Sequence, residues 1–355
     1  MKRISTGRLA GLLVLSIGSS DCATTTPRLN PRAVALEAAG VVALGRGQLE
    51  KAAGDFALAL EYEPRFAEAR NGLGLVALQR GDTARAEEAF RAALALDEDL
   101  AEAHFNLAQL LMRRDANEDA LAETRAALAV DPGYADARLL AGELLLRLDR
   151  PADAHWEIEK LCAAFPRRAD VHGANALVLV RLGRPVVASE EADLALMLDP
   201  RLASAHRARA EILRANGELE TATDEIDLAI AANPGSVQDR LLRVTILVAR
   251  GMWSEAASAL DGLVAAAPRQ PEVRFVMAFV ALARGQSEAA LRNADDALAI
   301  RARYPQARLV RAQALIRLGR DEQARRDLQQ FLEEAPPAMV AERAEAEAAL
   351  SDIPR

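Results

Sequence analysis

The chain has 355 residues, 51% of them hydrophobic but only 4% aromatic, so its apolar content is small and aliphatic; the prevailing Ala, Leu, Glu and Arg favour helix over sheet. Lys plus Arg total 44 against 52 for Asp plus Glu, a net charge of −8, which excludes the basic excess of a general nucleic-acid surface. The two cysteines, Cys22 and Cys162, exclude a disulfide framework and a closely spaced thiolate metal site.

Residues 1–22 read as an export signal. Lys2, Arg3 and Arg8 precede an apolar run from Leu9 to Ile17, and the small residues Gly18 to Ser20 follow, in the order of a secretory leader. The run is too short to span a bilayer, and charges interrupt every later hydrophobic stretch. With Cys22 directly after it, the segment resembles a bacterial lipoprotein signal, in which that cysteine is lipidated and becomes the mature N-terminus. Ser19, Ser20 and Asp21 depart from the usual residues before such a cysteine, so ordinary cleavage after Ser20 stands as the alternative. If Cys22 is lipidated, Ala23 beside it leans toward the outer membrane. Residues 23–32 form a polar linker.

From residue 33 to residue 338 the sequence repeats. Alanine recurs from Ala52, Ala86 and Ala120 through to Ala324, nine times at intervals of 34 residues. Gly47, Gly81, Asp115, Asp149, Gly183, Gly217, Gly251, Gly285 and Gly319 share that spacing, and so do Pro64, Pro132, Pro166, Pro200, Pro234, Pro268 and Pro336. Each unit therefore holds two apolar stretches at helical spacing, split by Gly or Asp and ended by a residue that does not continue a helix. That pattern predicts a helical hairpin. Pro151 and Pro185 fall where a second helix would start, the one place in a helix that tolerates proline. A lone hairpin cannot bury its apolar face, so neighbours must stack. Residues 339–355, with the Ala- and Glu-rich segment Met339 to Leu350, predict a capping helix.

With Ala33 as position 1, small residues fall at position 20 throughout, at position 8 except for Val244, and at position 27 except for Leu161, Leu263 and Phe331, and proline falls at 32 except for Glu98 and Ala302. This pattern resembles the tetratricopeptide repeat family, although the aromatics usual at positions 4 and 11 are missing. The resemblance implies an all-α, right-handed superhelical solenoid of nine 34-residue hairpins with a C-terminal capping helix, binding protein without catalysis. Within these residues the signal, linker, repeats and cap leave no stretch for a separate catalytic domain.

Candidate chemistry is sparse in this register. Gly72-Leu-Gly74-Leu-Val-Ala77 has the spacing of part of a dinucleotide fingerprint but lies inside a first helix with no strand before it. No phosphate loop, HExxH or nucleophile elbow occurs, so no catalytic residue, cofactor or metal is expected. His104, His172 and His206 share position 4, but helix spacing is too wide for a metal ladder, and no acidic neighbour is evident. They belong to a basic series, Arg70, His104, Arg138, His172, His206, Arg240, Arg274 and Arg308. Two readings fit it: cations serving the carbonyl end of the preceding helix, or a stripe meeting an acidic partner or lipid head groups. Arg209, Arg243 and Arg311 at position 7 suggest ion pairs between repeats. Cys162, Trp156 and Trp253 read as core.

Positions 2, 5, 9, 12 and 13 of each first helix share one face, and the family resemblance implies that they line a concave groove. That face is apolar, with Phe105, Leu139, Leu177, Leu241, Phe275, Phe279 and Leu309 among its residues. Repeat six interrupts it with Arg207, Glu211 and Arg214, while Arg113, Arg147, Arg181 and Arg317 add charge at position 13. Such a groove suits a helix or extended segment offering apolar anchors and carboxylates. The Lys and Asn pattern by which some family members clamp a C-terminal carboxylate is absent. The expected function is a non-catalytic scaffold of the bacterial envelope, on the periplasmic side, touching membrane only through an N-terminal lipid. It would support a secretion, pilus, motility or polysaccharide-export machine. A regulatory subunit of a separately encoded envelope enzyme is the second expectation, and a cytoplasmic adaptor with an uncleaved N-terminus the third.

Overall fold

The structure, a computed structural model, describes residues 29–353; the export segment and Cys22 lie outside the described residues. These residues form 19 α-helices and no strand. They divide into two compact units, one reaching Leu161 and the other starting at Cys162. The first holds the hairpins α1 (Pro31–Gly45) with α2 (Leu49–Tyr62), α3 (Ala67–Gln79) with α4 (Thr83–Leu96), α5 (Ala101–Arg113) with α6 (Asn117–Val130), and α7 (Ala135–Arg147) with most of α8 (Pro151–Ala164). The second holds α9 (Ala169–Arg181) with α10 (Pro185–Leu198), α11 (Ala203–Asn216) with α12 (Leu219–Ala232), and α13 (Val237–Ala249) with α14 (Trp253–Ala266). It continues with α15 (Pro271–Ala283) and α16 (Ser287–Ile300), α17 (Pro305–Arg317) and α18 (Asp321–Glu334), and a last helix, α19 (Val340–Asp352). From Ala67 to Pro305 the first helices begin at the sequence repeat of 34 residues.

The turn chemistry explains the hairpins. Gly47 has φ +72°, its amide donates to Leu44 O at 2.9 Å, and the Gln48 amide donates to Ala43 O at 2.9 Å. This pair of bonds is the Schellman arrangement that closes a helix on a left-handed residue. Asp115 and Asp149 take the same conformation, with φ 62° and 57°, at a steric cost that glycine avoids. Pro185, Pro271 and Pro305 each begin a helix.

Close packing explains the small residues. In the first unit the Phe56 ring is fully buried between Gly40 of its own hairpin and Gly72 of the next. A Cβ at those glycines would come within 2.7 Å and 2.5 Å of the ring. Gly74 meets Phe90 in the same way. The Gly72 and Gly74 pair thus serves helix packing inside α3, and the dinucleotide spacing carries no chemistry. In the second unit, Ala346 of α19 and Ile353 just beyond it are buried against Leu328 and Phe331, so α19 covers the apolar end of the last hairpin. Trp156 departs from expectation: it is 58% exposed, its ring covered on one face by Lys160. Trp253 is half-buried beside Phe279, their ring centroids 6.5 Å apart, and Cys162 is half-buried rather than buried. Among the described residues, no helix is long and apolar enough to cross a membrane.

Candidate functional site

The position 4 cations are mostly consumed by the fold. His104 Nδ1 lies 2.6 Å from Glu123 Oε2 and its Nε2 lies 3.0 Å from Glu98 O. His172 repeats this with Glu191 (2.7 Å) and Pro166 O (3.1 Å), and His206 with Glu225 (2.7 Å) and Pro200 O (3.2 Å). Arg138 donates to Glu157 at 2.6 Å and to Pro132 O at 2.7 Å. Arg308 donates to Glu334 at 3.1 Å and to Ala302 O at 2.7 Å, with Asp327 at 3.9 Å. Each of these side chains therefore ties the first helix of a repeat to a carbonyl in the turn just beyond the preceding helix, two residues past its end, and not to that helix's own last carbonyls. Each also meets an acid on a second helix, at position 23 in all five. That acidic neighbour was not evident in the sequence, although it recurs with the same period as the cations. Among the described residues no cluster could hold a metal ion.

Position 7 makes the ion pairs between repeats. Arg243 reaches Asp227 of the preceding repeat at 2.6 Å, Arg311 reaches Asp295 at 2.9 Å and Arg209 reaches Asp193 at 3.9 Å, while Arg311 also pairs with Asp327 at 2.6 Å and Arg209 with Glu225 at 3.5 Å inside their own repeats. Its hydrogen bonds to the Asp327 carboxylate push the Arg311 guanidinium further up from its already high range.

The apolar face is partly spent on packing. Leu177 and Leu309 are buried, while Phe105, Leu139, Leu241 and Phe275 are half-buried. Phe105 packs on Tyr134 with ring centroids 5.0 Å apart, and Phe275 packs on Tyr304 at 5.4 Å. Phe279 stands out at 40% exposure.

Repeats five to seven, in the second unit, contain a different arrangement. Arg207 Nη1 donates to Gln238 Oε1 at 2.7 Å and lies 3.3 Å from Asp239 Oδ1. Asp239 is only 2% exposed, and this Oδ1 receives no aligned hydrogen bond, so the contact with Arg207 is an ion pair of poor directionality. Position 3 is apolar in the other eight repeats: Ala35, Ala69, Ala103, Ala137, Val171, Ala205, Val273 and Ala307. A buried carboxylate at an apolar slot is costly unless paired. Glu211, one turn beyond Arg207 on α11, has no direct hydrogen bond or ion pair with any described residue. Burial pushes its carboxyl above the ordinary range, Arg207, Arg181 and Arg214 pull it back, and Asp239 adds to the rise. The sequence-predicted pair Arg207 and Glu211 is thus joined by Gln238 and Asp239, which the sequence reading missed. The one available signal was an acid where every sister repeat has Ala or Val. Chemically the cluster presents the partly accessible Arg207 and Glu211 to a polar or charged side chain, with Asp239, buried beneath, positioning Arg207.

The same hairpin register is found in known proteins. The tetratricopeptide repeat family model matches residues 37–101, 78–124, 105–169 and 174–237, more than half of the chain. No curated protein sequence matches. Among solved structures, the Cut9–Hcn1 hetero-tetramer of APC/C aligns at TM-score 0.60 and 13% identity, covering 91% of this chain and 90% of that one. The human IFIT1 dimer with PPP-AAAA aligns at 0.62 and 16%, covering 88% and 79%. A tetratricopeptide repeat protein from Parabacteroides merdae aligns at 0.51 and 15%, covering 71% and 99%. At these identities the likeness concerns the fold alone. The hairpin register, the turn and packing residues and the matched family model together establish that this chain belongs to the tetratricopeptide repeat family.

Proposed function

We propose that the chain is a non-catalytic scaffold that binds a protein segment along the first-helix faces of its second unit, with Phe279 as an apolar contact and the Arg207, Glu211 and Asp239 cluster as the polar one. The observation that carries this reading is the Arg207–Asp239 pair, whose buried carboxylate occupies a slot that the other eight repeats fill with Ala or Val. Folding alone gains nothing from it, since an apolar pair of similar size is commonly as stable or more so. Departures from a repeat's own pattern are expected where function is served. The order of residues 1–22 supports export and lipid attachment at Cys22. A periplasmic, outer-membrane-anchored scaffold aiding a secretion, pilus, motility or polysaccharide-export machine is the finer form of the proposal.

Co-purification from envelope extract, compared between the wild-type chain and Phe279→Glu, tests the binding reading. A protein retained by the wild type and lost from the variant supports it; equal retention by both overturns the assignment to this face. If the retained protein is an enzyme whose turnover changes on adding the chain, the regulatory-subunit reading replaces the scaffold. Mass measurement of the mature N-terminus tests the location, and an intact Met1 would defeat both envelope readings.

A further inference from the structure

Repeat two departs from the position 4 pattern, and a cavity accompanies the departure. In repeats three to six and in repeat nine the cation at position 4 meets an acid at position 23: Glu123, Glu157, Glu191, Glu225 or Asp327. In repeat two the cation is Arg70 and position 23 is Ala89. The Arg70 guanidinium makes no hydrogen bond or ion pair with any described residue, and the residue is exposed. It lines a cleft of about 280 Å³ among α2, α3 and α4, walled by Ala53, Leu73, Ala77, Ala89 and Ala92. The other charges on the cleft are mostly engaged: Arg80 pairs with Glu50 at 3.2 Å and Arg85 with Asp82 at 3.4 Å. Glu88 stands on the lining without pairing to Arg70.

We propose that this cleft receives a glutamate or aspartate side chain presented by a partner protein, which takes the part that Glu157 plays for Arg138. The chain itself supplies the template, because a carboxylate at this slot is how its own fold satisfies the same guanidinium. Two arguments favour a carboxylate over a phosphate. One unpaired guanidinium matches one negative charge, with bidentate geometry, and Asp82 and Glu88 nearby would repel a dianion more strongly. The alanine walls leave room for the stem of the arriving side chain. None of the lining residues occupies positions 2, 5, 9, 12 or 13, so the site is independent of the groove proposed above.

The test uses the full chain with isotope-labelled arginine and follows the Arg Nε–H signals. The probe is an N-acetylated, C-amidated Ala-Leu-Glu-Leu-Ala peptide, with a Gln version as control. Arg70→Gln identifies the Arg70 signal by its disappearance. We expect that signal to move saturably, with half-saturation at least tenfold lower for the Glu peptide than for the Gln peptide. Ala89→Glu, which restores the internal acid, should remove the response. Should that variant fail to fold by circular dichroism, Ala92→Leu should give the same loss by filling the cleft without altering its charges. No preference for the Glu peptide, a response retained in the variants, a response at Arg240 in place of Arg70, or inorganic phosphate binding better than the peptide would each overturn the proposal.

Discussion

Arg207 Nη1 stands 3.3 Å from Asp239 Oδ1, joining α11 to α13 through an ion pair at a slot that the sister repeats fill with Ala or Val. Removing Arg207 alone would strand a carboxylate that is 2% exposed. Arg207→Leu should therefore destabilise the second unit by about 3–5 kcal/mol, and the double change with Asp239→Ala should recover most or all of that loss. Denaturant midpoints of the single and double variants give the coupling directly; a single variant as stable as wild type would show the pair to be dispensable.

Glu211 gives stability a pH dependence of definite sign. Burial raises its folded-state pKa above the ordinary value of 4.5, so the folded chain holds this proton more tightly than the unfolded chain does. Its contribution is most favourable below the unfolded value and is lost as pH rises through the folded one. Glu211→Gln should accordingly raise the melting temperature relative to wild type at pH 7, with the difference shrinking toward zero near pH 4. A constant difference across that range would assign the effect to something other than titration.

Phe275 and Phe279 sit four residues apart on α15 yet should respond differently. Phe275 packs on Tyr304 and against the apolar clusters of the second unit, so Phe275→Glu should cost stability, by about 2–4 kcal/mol. Phe279, at 40% exposure, should tolerate the same change to within about 1 kcal/mol. Thermal melts distinguish the two, and only Phe279→Glu is then a clean probe of partner binding.

Gly72→Ala tests the packing argument in the first unit. The added Cβ would lie 2.5 Å from the Phe56 ring, and Phe56 has no free space to move into because Gly40 lies on its other side. Overpacking of this kind costs about 1–3 kcal/mol, more than alanine's helix propensity returns. A melt equal to or above wild type would contradict the packing described.

Much of this molecule is legible because it repeats itself. The spacing of alanine, glycine and proline places the hairpins, and Arg209, Arg243 and Arg311 at an apolar position announce their ion pairs. The position 4 cations are legible only in part: their place beside the end of the preceding helix follows from the repeat register, whereas the turn carbonyls they bond and the acids at position 23, a second series in phase with the first, show only once the helices are packed. Asp239 escapes notice because a single carboxylate near a helix start looks like an ordinary first-turn acid; only its burial, set by the stacking of α11 on α13, reveals the cost. Trp156 misleads for the opposite reason. Its size suggests core, but its helix turns it outward, where Lys160 covers it.

The bridging side chains at position 4 also have a mechanical consequence. Each of the five that meets a position 23 acid braces the two helices of its own hairpin through that acid and holds the hairpin to the turn before it through a carbonyl; Arg70 and Arg240, which face Ala89 and Ala259 at the corresponding places, make neither bond. Under load, the hairpins of Arg70 and Arg240 should therefore open, each within its own unit, before the neighbours that are braced through position 23.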